Sequence, residues 1–576
     1  MNTDIERANY EKAKQEADKV DLKIIELIKK GKNFRVEAGA GSGKTYSLNK
    51  TIEWLQDNKI EKYNRNKQNV VCITYTNAAV NVISSRLRSN SFIIPSTIHS
   101  FAWNAIKQYQ SFLISSIKND DSLKSAIKDN EEINIVEYTL GKRYVENGIY
   151  FLHHNDVLKL FCNLLDNNKY RRLFANKYPL ILIDEYQDSY KSIIDQFIKY
   201  FISDNISPQF GFFGDSWQTI YQTNNACGLI EHENIEVLNK ISNFRCPPKI
   251  VDLLNKLRPE LEQISAVDGF DGEIFVITCE DYKGERRSDR NFNGDLPVVE
   301  LKERISKITK KISEETNEDE KTKVLMITHK VLANQQGYEK LLDILDSGLK
   351  EKEDVFLLFF MNVVEPIYKA LETNNTQLLF DTLGSKRNPI VKKSEKQKWK
   401  KLYNDLTIVR NKTAIDVINL VKEYNFIPLA PELEKWIDKY YDEPDTQYFK
   451  STIKKFLDLD YEQFLFAIDF LYPNALFSTD HGVKGEEYDN VVFAITRGWN
   501  NYKFDEYAPM MINGLSINTN QSTYERVRNL FYVCCSRPKK RLYLFVSIPI
   551  NTIFKDFLTE IAGEQNYLTY SQFINN

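Results

Sequence analysis

The stretch FRVEAGAGSGKTYS, residues 34–47, decides the fold. Its apolar start, with Phe34 and Val36, predicts a buried β-strand, and small residues follow until Lys44 and Thr45 open a helix. Glycines let the backbone turn its N–H groups inward around a phosphate, and a helix N-terminus adds unpaired donors. This strand–loop–helix unit predicts an α/β fold with a nucleoside triphosphate site. The alternative is a flexible Gly/Ser linker, which the preceding strand and the following Lys-Thr pair argue against.

The loop supplies the candidate phosphate ligands. Lys44 would neutralise the β- and γ-phosphates, and the hydroxyl group of Thr45 would ligate Mg²⁺. Ala38 stands at the position where the strict loop pattern has glycine. The predicted nucleotide-binding residues are Ala38, Gly39, Ala40, Gly41, Ser42, Gly43, Lys44 and Thr45.

Composition bounds the class of protein. A chain of 576 residues that is 42% hydrophobic and 27% charged predicts a globular protein of several domains. The net charge of −3 gives no overall attraction to nucleic acid, so polyanion contacts must come from local patches. The seven Cys form no CxxC pair, which disfavours a zinc or iron–sulfur site and fits free thiols in a reducing cytoplasm. We expect neither a signal peptide nor a membrane span.

A pair of carboxylates predicts the second half of the nucleotide site. The apolar run of residues 180–183 leads directly into Asp184 and Glu185. Asp184 would hold the Mg²⁺ shell, and Glu185 would polarise the attacking water. The alternative is a solvated acidic turn, which the preceding strand makes less favourable.

Polar residues follow other apolar runs as well. Thr97 and His99 lie near one predicted strand end, and Gln218 follows the strand of residues 210–213. Ligands gather at the carboxyl ends of strands in open α/β sheets, so these positions favour function. An amide at such a place suits a sensor that responds to the γ-phosphate. His99 alone would more often be structural.

Two further positions could contact a nucleotide. Phe244 could stack on a base and Arg245 could reach a phosphate, although a core Phe and a surface Arg are the simpler interpretations. Gln15 lies on a predicted helix over residues 3–30 and could bind an adenine edge, or be an exposed polar residue.

Helical stretches interrupt the α/β pattern. Residues 102 to about 160 and about 345–470 are predicted to be helical, and residues 281–322 are predicted to be loops. Between Lys386 and Lys412, Lys and Arg dominate and alternate with Trp399 and Tyr403. This segment could grip a phosphate backbone or form a solvated helix face, and the sequence favours neither.

Eight motifs then occur in one order: AGAGSGKT, TYTN, TIHSF, DEYQD, GDSWQTIY, NFR, TDHGVKGEEY and YVCCSR. Together they resemble the successive motifs of UvrD/Rep/PcrA-type superfamily 1 DNA helicases, over residues 34–545. The resemblance implies two RecA-like domains, each interrupted by a mostly helical insertion. The first domain would comprise residues 1–101 and 165–246, with 102–164 inserted, and the second 247–345 and 471–576, with 346–470 inserted.

The resemblance also implies roles for residues. Members of the family use the positions of Lys44, Thr45, Asp184 and Glu185 for ATP and Mg²⁺, and Gln218 would sense the γ-phosphate. Phe244 would stack on adenine, and Glu487 would meet the ribose. Arg245 and Arg537 would neutralise charge on the γ-phosphate, with Arg537 as an arginine finger. The positions similar to those that face or couple to DNA are Tyr75, Asn77, Thr97, His99, Tyr221 and His481.

The chain departs from the family pattern in ways that bear on activity. Tyr221 is followed by Gln-Thr-Asn, whereas the family usually has a Trp platform for a base shortly after this Tyr. Both predicted insertions are short for the family, and no nuclease-like set of residues follows residue 545. ATPase activity and translocation are therefore better supported than processive unwinding.

Three functions remain open at this point. The resemblance favours an ATP-dependent translocase on single-stranded DNA that unwinds duplexes 3′ to 5′, in DNA repair or phage defence. The second is a DNA-stimulated ATPase that does not unwind alone and works with a nuclease or other effector. The third is an ATP-gated switch or scaffold that is not a motor. RNA is also possible as the track.

Overall fold

The computed structural model describes residues 2–127, 132–138, 143–219, 225–290, 292–326, 332–333, 336–345, 354–383, 393–424, 427, 429, 431–442, 453–471, 477–479, 486–497, 502–514 and 519–576. They fold into two compact units. The first unit comprises Met1–Ile327 and Asp480–Asn576, and the second comprises Thr328–Thr479.

The strands are numbered in chain order: β1 (Asn33–Ala38), β2 (Val70–Thr74), β3 (Ile93–Thr97), β4 (Ile135–Tyr138), β5 (Tyr144–Glu146), β6 (Ile149–Leu152), β7 (Leu180–Asp184), β8 (Gln209–Gly214), β9 (Ile235–Lys240), β10 (Ser242–Asn243), β11 (Ile264–Ser265), β12 (Glu273–Thr278), β13 (Thr322–Met326), β14 (Phe477–Thr479), β15 (Tyr488–Ile495), β16 (Pro538–Val546) and β17 (Tyr567–Thr569).

The α-helices of the first unit are Asn2–Lys30, Lys44–Arg65, Asn77–Ser84, Ile98–Ile106, Gln110–Asn119, Asp121–Lys124, His154–Leu165, Asn168–Lys177, Lys191–Phe197, Pro248–Leu257, Val298–Glu315, Phe504–Tyr507, Met510–Asn513, Gln521–Cys535, Thr552–Ala562 and Tyr570–Asn575. Those of the second unit are Glu339–Leu345, Val355–Phe359, Glu365–Glu372, Thr376–Leu383, Lys393–Val409, Ala414–Glu423, Pro431–Asp442, Lys454–Leu457 and Tyr461–Leu471. Among the described residues, no helix is long and apolar enough to cross a membrane.

The first sheet has the order β3–β2–β7–β8–β1–β9, and its neighbouring strands are parallel. All six residues of β1 are buried, as expected for a parallel strand that is covered on both faces. Because the strands run in one direction, their carboxyl ends share one edge. That edge carries the loop before Lys44, the pair Asp184 and Glu185, and the segment that leads to Gln218.

The second sheet lies in the same unit and is also parallel. Within the unit its order is β13–β15–β16–β12–β17. The helices Pro248–Leu257 and Gln521–Cys535 pack against it, with Leu254 and Phe531 in the same apolar core as Phe493 of β15. The prediction of an α/β fold with two RecA-like sheets is confirmed.

The prediction for residues 102–164 was wrong in part. This segment contains helices, but it also forms a small sheet in the order β4–β6–β5. Its strands alternate in burial: Tyr150 and Leu152 are buried, whereas Ile149 and Phe151 are partly exposed. A period of two is the pattern of a strand with one face on a core, and here it was masked by the surrounding helical residues.

The prediction of loops for residues 281–322 was also wrong in part, because the helix Val298–Glu315 lies within it. Charged pairs one turn apart account for the polar composition, as in the bond from Arg304 Nε to Glu300 Oε1 at 2.5 Å. Between them, Leu301, Ile305 and Ile308 are buried at helical spacing.

The second unit is helical, and its core decides one open question. Trp399 is only 5% exposed, and Tyr403 stacks on Tyr368 with 5.2 Å between ring centroids. These aromatic side chains pack inward and so do not alternate with the lysines on one surface. Lys396, Lys398, Lys400 and Lys401 are exposed on the helix Lys393–Val409. Of the two alternatives left open by the sequence, the solvated helix face fits these side chains, and the aromatic rings do not take part in it.

The second unit differs from the predicted insertion of residues 346–470 in its extent. The helix Glu339–Leu345, assigned from the sequence to the second RecA-like domain, contributes Leu341 and Leu342 to the helical core. The backbone N–H of Leu341 also donates to Gln463 Oε1 at 3.1 Å. The remaining domain boundaries stay a prediction.

The buried first sheet gives a simple stability test. We expect Leu182→Ala, in the centre of β7 with 0% exposure, to destabilise the chain by about 2–5 kcal/mol through lost burial and a cavity. Leu173→Ala is the matched control, because that side chain is 51% exposed and should change stability by less than about 0.5 kcal/mol. Thermal unfolding followed by circular dichroism measures both, and equal shifts would contradict the buried position of β7.

Candidate nucleotide site

The loop between β1 and the helix Lys44–Arg65 has the backbone of an anion cradle. Gly41 and Gly43 adopt φ values of 73° and 77°, in the left-handed region that favours glycine. A Cβ at Gly41 would lie 2.5 Å from Asn243 Oδ1 and 2.9 Å from Arg245 Cβ, so a side chain does not fit. The buried hydroxyl of Ser42 has no hydrogen-bond partner among the described residues. These features fit a bound phosphate, because it would accept from such donors.

The peptide of Ala40 is held from three directions. Its N–H donates to the Tyr532 hydroxyl at 3.1 Å. Its carbonyl accepts from Asn243 Nδ2 and from Gln263 Nε2, each at 3.0 Å. The loop shape is thus fixed by side chains from beyond β9 as well as by its own glycines. Ala38, at the end of β1, is fully buried and fits the strand without a glycine.

Lys44 faces the acidic pair that follows β7. Its Nζ lies 3.9 Å from Glu185 Oε2, which is a loose ion pair. Glu185 has a φ of 50°, and its carboxylate accepts from Gln187 Nε2 at 2.6 Å. Asp184 and Glu185 are partly buried, whereas Thr45 is exposed on the first turn of its helix. Carboxylate and hydroxyl oxygens are the donors that Mg²⁺ prefers, so Asp184 and Thr45 suit a magnesium shell.

Arg537 is fully buried near Gln218. The guanidinium donates from NH2 to Gln218 Oε1 at 2.8 Å and from Nε to the Val533 carbonyl at 3.1 Å. Both acceptors are neutral. Burial, together with the nearby positive charge of Arg245, lowers the pKa of Arg537 to about 10. An anion bound here would offset that cost, so the arrangement favours binding of a phosphate.

Arg245 and Glu487 contact each other. Arg245 donates from NH1 to the Ser536 carbonyl at 3.2 Å and from Nε to Glu487 Oε2 at 3.3 Å. Glu487 also lies 2.9 Å from Lys539 Nζ. Partial burial raises the pKa of Glu487, but the bonds from Lys539 and Arg245 outweigh it and lower the pKa overall. Glu487 is therefore an anion at neutral pH.

Two exposed aromatic side chains flank the loop. Phe244 is 42% exposed, and its backbone N–H donates to the Gly41 carbonyl at 2.9 Å. Tyr46 is 64% exposed and was not predicted from the sequence. A Cβ placed on Gly43 would lie 3.7 Å from Tyr46 Cβ and 4.0 Å from Phe244 Cδ2. Both rings are thus available to a base beside the phosphate loop.

Gln15 is exposed on the first helix, which fits its interpretation as an exposed polar residue.

Three buried charged residues that were not predicted from the sequence lie beneath this site. Glu37, Asp215 and Arg258 form ion pairs close to Gln218, with Arg258 NH1 2.6 Å from Asp215 Oδ1. The position of Glu37 could have predicted a buried ion pair, because a charged residue in a strand buried on both faces needs a partner. Nothing in the sequence pointed to Arg258, since it follows an ordinary amphipathic helix.

The predicted DNA positions other than His99 separate into three groups. Tyr75 and Asn77 are exposed at the carboxyl edge of the first sheet. Thr97 is partly buried and caps the helix Ile98–Ile106, with its hydroxyl oxygen accepting from the Ser100 N–H. Tyr221 and His481 lie outside the described residues.

His99 is predicted either to face or couple to DNA or to be structural. It is only 7% exposed, and its ring stacks on His154 with centroids 3.3 Å apart. His154 Nδ1 is 2.6 Å from the Tyr138 hydroxyl of β4, so the pair joins the first sheet to the inserted segment. The burial of the ring fits the structural role that is the commoner one for a lone His. Burial, and secondarily the nearby His154, lowers the pKa of His99 to about 3.

Gly41→Ala tests the shape of the loop. The new Cβ adds about 1–2 kcal/mol of backbone strain and meets Asn243, so we expect the variant to lose affinity for fluorescently labelled ATP. Gly31→Ala is the control, because Gly31 has a φ of 68° but nothing within 4 Å of its Cβ. It should lower thermal stability and leave nucleotide affinity unchanged. Normal affinity in Gly41→Ala would contradict the crowded geometry.

The His99 environment predicts a pH dependence. The unfolded chain binds a proton on this ring below about pH 6.5, whereas the folded chain does so only near its lowered pKa, so stability falls as the pH drops. Between pH 7.5 and 5 the loss should be about 2 kcal/mol. His99→Gln should remove that part of the pH dependence, and His232→Gln should not. Urea unfolding at each pH measures the free energy of unfolding. If that free energy depended on pH in the same way in the wild type and in His99→Gln, the prediction would be refuted.

Comparisons with known proteins agree with the motifs. Residues 21–224 match the family described as AAA domain. The Gabija protein GajB of Bacillus cereus strain HuB5-5 is 24% identical over 96% of this chain and 98% of its own length. A probable DNA helicase II homolog of Mycoplasma capricolum is 28% identical over 41% of this chain and 40% of its own. The mitochondrial ATP-dependent DNA helicase HMI1 of Saccharomyces cerevisiae is 25% identical over 40% of this chain and 39% of its own. Together with the two parallel sheets and the ordered motifs, these matches support a superfamily 1 helicase-like protein.

Proposed function

We propose that this protein is an ATP-dependent translocase on single-stranded DNA and a DNA helicase, moving 3′ to 5′. The proposal depends on one observation, which is that residues distant in sequence meet at the phosphate loop. Lys44 pairs with Glu185 there. Arg537, which follows the helix Gln521–Cys535, donates to Gln218 at 2.8 Å. The helicase relatives support the ATPase and helicase class, and the polarity follows from the resemblance alone.

In this mechanism the triphosphate binds over the loop that ends at Lys44. Lys44 moves from Glu185 to the β- and γ-phosphates, so the Glu185 carboxylate becomes free to orient the attacking water. Asp184 and Thr45 would hold Mg²⁺, which would supply positive charge to the phosphates. Phe244 stacks on the base, and Tyr46 offers a second ring beside it.

The buried cations complete the site from the opposite side. Arg537 keeps its bond to Gln218 and donates from its remaining N–H groups to the γ-phosphate, and Arg245 neutralises charge that develops there. Glu487, which already pairs with Arg245, meets the ribose. Because these groups are attached to the second sheet and its neighbouring segments, release of phosphate loosens the contact between the two sheets. Tyr75, Asn77 and Thr97, with Tyr221 and His481, couple that motion to the DNA.

The second candidate function is ATP hydrolysis without unwinding of duplex DNA. The chain would then be a DNA-stimulated subunit or sensor that acts with an effector or nuclease partner. The missing Trp platform after Tyr221 favours this candidate. The likeness to a Gabija protein over nearly the whole chain, rather than to DNA helicases alone, is our reason for favouring phage defence over DNA repair as the setting.

Turnover of ATP with and without single-stranded DNA tests the proposal. We expect DNA to stimulate turnover, and Lys44→Ala to abolish it while Lys62→Ala, at the far end of the same helix, keeps it. Arg537→Ala should lower kcat by about 10³-fold with a smaller change in ATP affinity, since the finger acts on the transition state. Turnover that ignores DNA would favour a switch that is not a motor.

Forked duplexes distinguish the two candidates. Unwinding of a fork with a 3′ overhang, and not of one with a 5′ overhang, supports the helicase. DNA-stimulated turnover without unwinding of either fork supports the partner-dependent ATPase.

A further inference from the structure

A chain of buried charges runs beneath the nucleotide loop. Glu37 lies on β1 immediately before Ala38 and is 5% exposed. Its carboxylate accepts from Arg258 NH2 at 2.7 Å, and Arg258 NH1 donates to Asp215 Oδ1 at 2.6 Å. Asp215, just after β8, is 0% exposed. One guanidinium therefore bridges the residue before the phosphate loop and the residue that begins the Gln218 segment.

Asp215, held by Arg258, in turn orients the side chain of Gln218. Its Oδ2 accepts from Gln218 Nε2 at 2.7 Å, while Oδ1 accepts from Arg258 and from the Trp217 N–H. An amide nitrogen only donates and an amide oxygen only accepts. With Nε2 held by Asp215, the amide oxygen must point away from it. That oxygen meets Arg537, as its 2.8 Å hydrogen bond shows.

Arg258 belongs to the other half of the first unit. It follows the helix Pro248–Leu257, whose buried residues Leu254 and Leu257 pack in the core of the second sheet. Glu37 and Asp215 belong to the first sheet. The two ion pairs thus cross between the two sheets at the same place as the bond between Arg537 and Gln218. A relative shift of the sheets must strain both contacts together.

The partners of Arg258 distinguish it from other paired arginines. Arg541 also binds two carboxylates, with Nε 2.7 Å from Glu273 Oε2 and NH1 3.0 Å from Glu320 Oε2. Neither of those glutamates contacts a predicted site residue through a described bond. Arg258 differs because one of its carboxylates orients Gln218 and the other adjoins the phosphate loop.

We propose that Arg258 is a positioning residue for γ-phosphate recognition. By bridging Glu37 and Asp215, it fixes the Gln218 amide with its oxygen toward Arg537, so that Arg537 is held where its remaining N–H groups can donate to the γ-phosphate. It also ties that orientation to the distance between the two sheets. The inference rests on the proposed ATPase function and assigns a role to three residues outside the predicted site.

Arg258→Lys is the central variant. Lysine keeps the positive charge and the fold, but a single ammonium group cannot bridge two carboxylates as a planar guanidinium does. We expect kcat for ATP to fall by about ten- to a hundredfold, with KM changed by less than twofold. Arg541→Lys is the matched control, because it replaces a similarly paired arginine in the second sheet and should leave kcat unchanged.

A second measurement does not depend on turnover. Binding of labelled ADP is competed by ADP and by a non-hydrolysable ATP analogue, and the ratio of the two affinities reports γ-phosphate recognition. We expect the wild type and Arg541→Lys to share one ratio, and Arg258→Lys to lose preference for the triphosphate by about tenfold. A merely structural role would change thermal stability and not this ratio.

Glu37→Gln supplies the cross-check. It removes the charge that anchors Arg258 while nearly preserving side-chain size. If the bridge acts as a unit, the losses in kcat of Glu37→Gln and Arg258→Lys should not multiply in the double variant. Multiplying losses, or an unchanged ratio in Arg258→Lys beside an active wild type, would overturn the inference alone. A wild type that neither hydrolyses ATP nor distinguishes it from ADP would overturn the proposed function and this inference with it.

Discussion

A buried guanidinium with neutral partners is the constraint on which the site depends. Arg537 is 1% exposed, and its hydrogen bonds go to a backbone carbonyl and to the Gln218 amide. Removing a charge from water is costly unless an opposite charge compensates it. The lowered pKa of Arg537 expresses that cost. The folded chain tolerates this free-energy cost because the packing of the helix Gln521–Cys535 holds Arg537 in place. A bound triphosphate would reduce the cost, since its negative charge would compensate the guanidinium.

The topology of the two sheets determines which residues each of them contributes to the site. Parallel strands bring the phosphate loop, the acidic pair and the Gln218 segment to one edge, where backbone donors and carboxylates lie close together. The cations that complete the site come from segments packed on the other sheet. A nucleotide bound at this place would therefore contact both halves of the unit, and its affinity would depend on the distance between them.

Local signals explain what could be predicted from the sequence. Lys44, Asp184 and Gln218 each follow a short apolar run, so their strand ends and their shared edge were predictable. Arg258, Gln263 and Tyr532 were not, because the contacts of Arg258 with Glu37 and Asp215, and those of Gln263 and Tyr532 with the loop, depend on distant segments meeting in space. The sequence left two interpretations of His99, a DNA-facing or coupling residue and a structural one. Its burial depends on stacking against His154, which lies more than fifty residues away in the chain and could not be placed from the sequence. The small sheet of β4, β5 and β6 was hidden because period-two burial over three or four residues is too short to stand out among helices.

The position of Trp217 has a spectroscopic consequence. Its indole ring lies between the two sheets, with the guanidinium carbon of Arg528 3.9 Å from the ring centroid and that of Arg258 at 5.2 Å. The adjoining residue in the chain is Gln218. Indole emission responds to the charges and the water around the ring, so separation of the sheets would change the fluorescence of this one tryptophan among six. The protein thereby contains its own optical probe of opening and closing, which requires no attached dye.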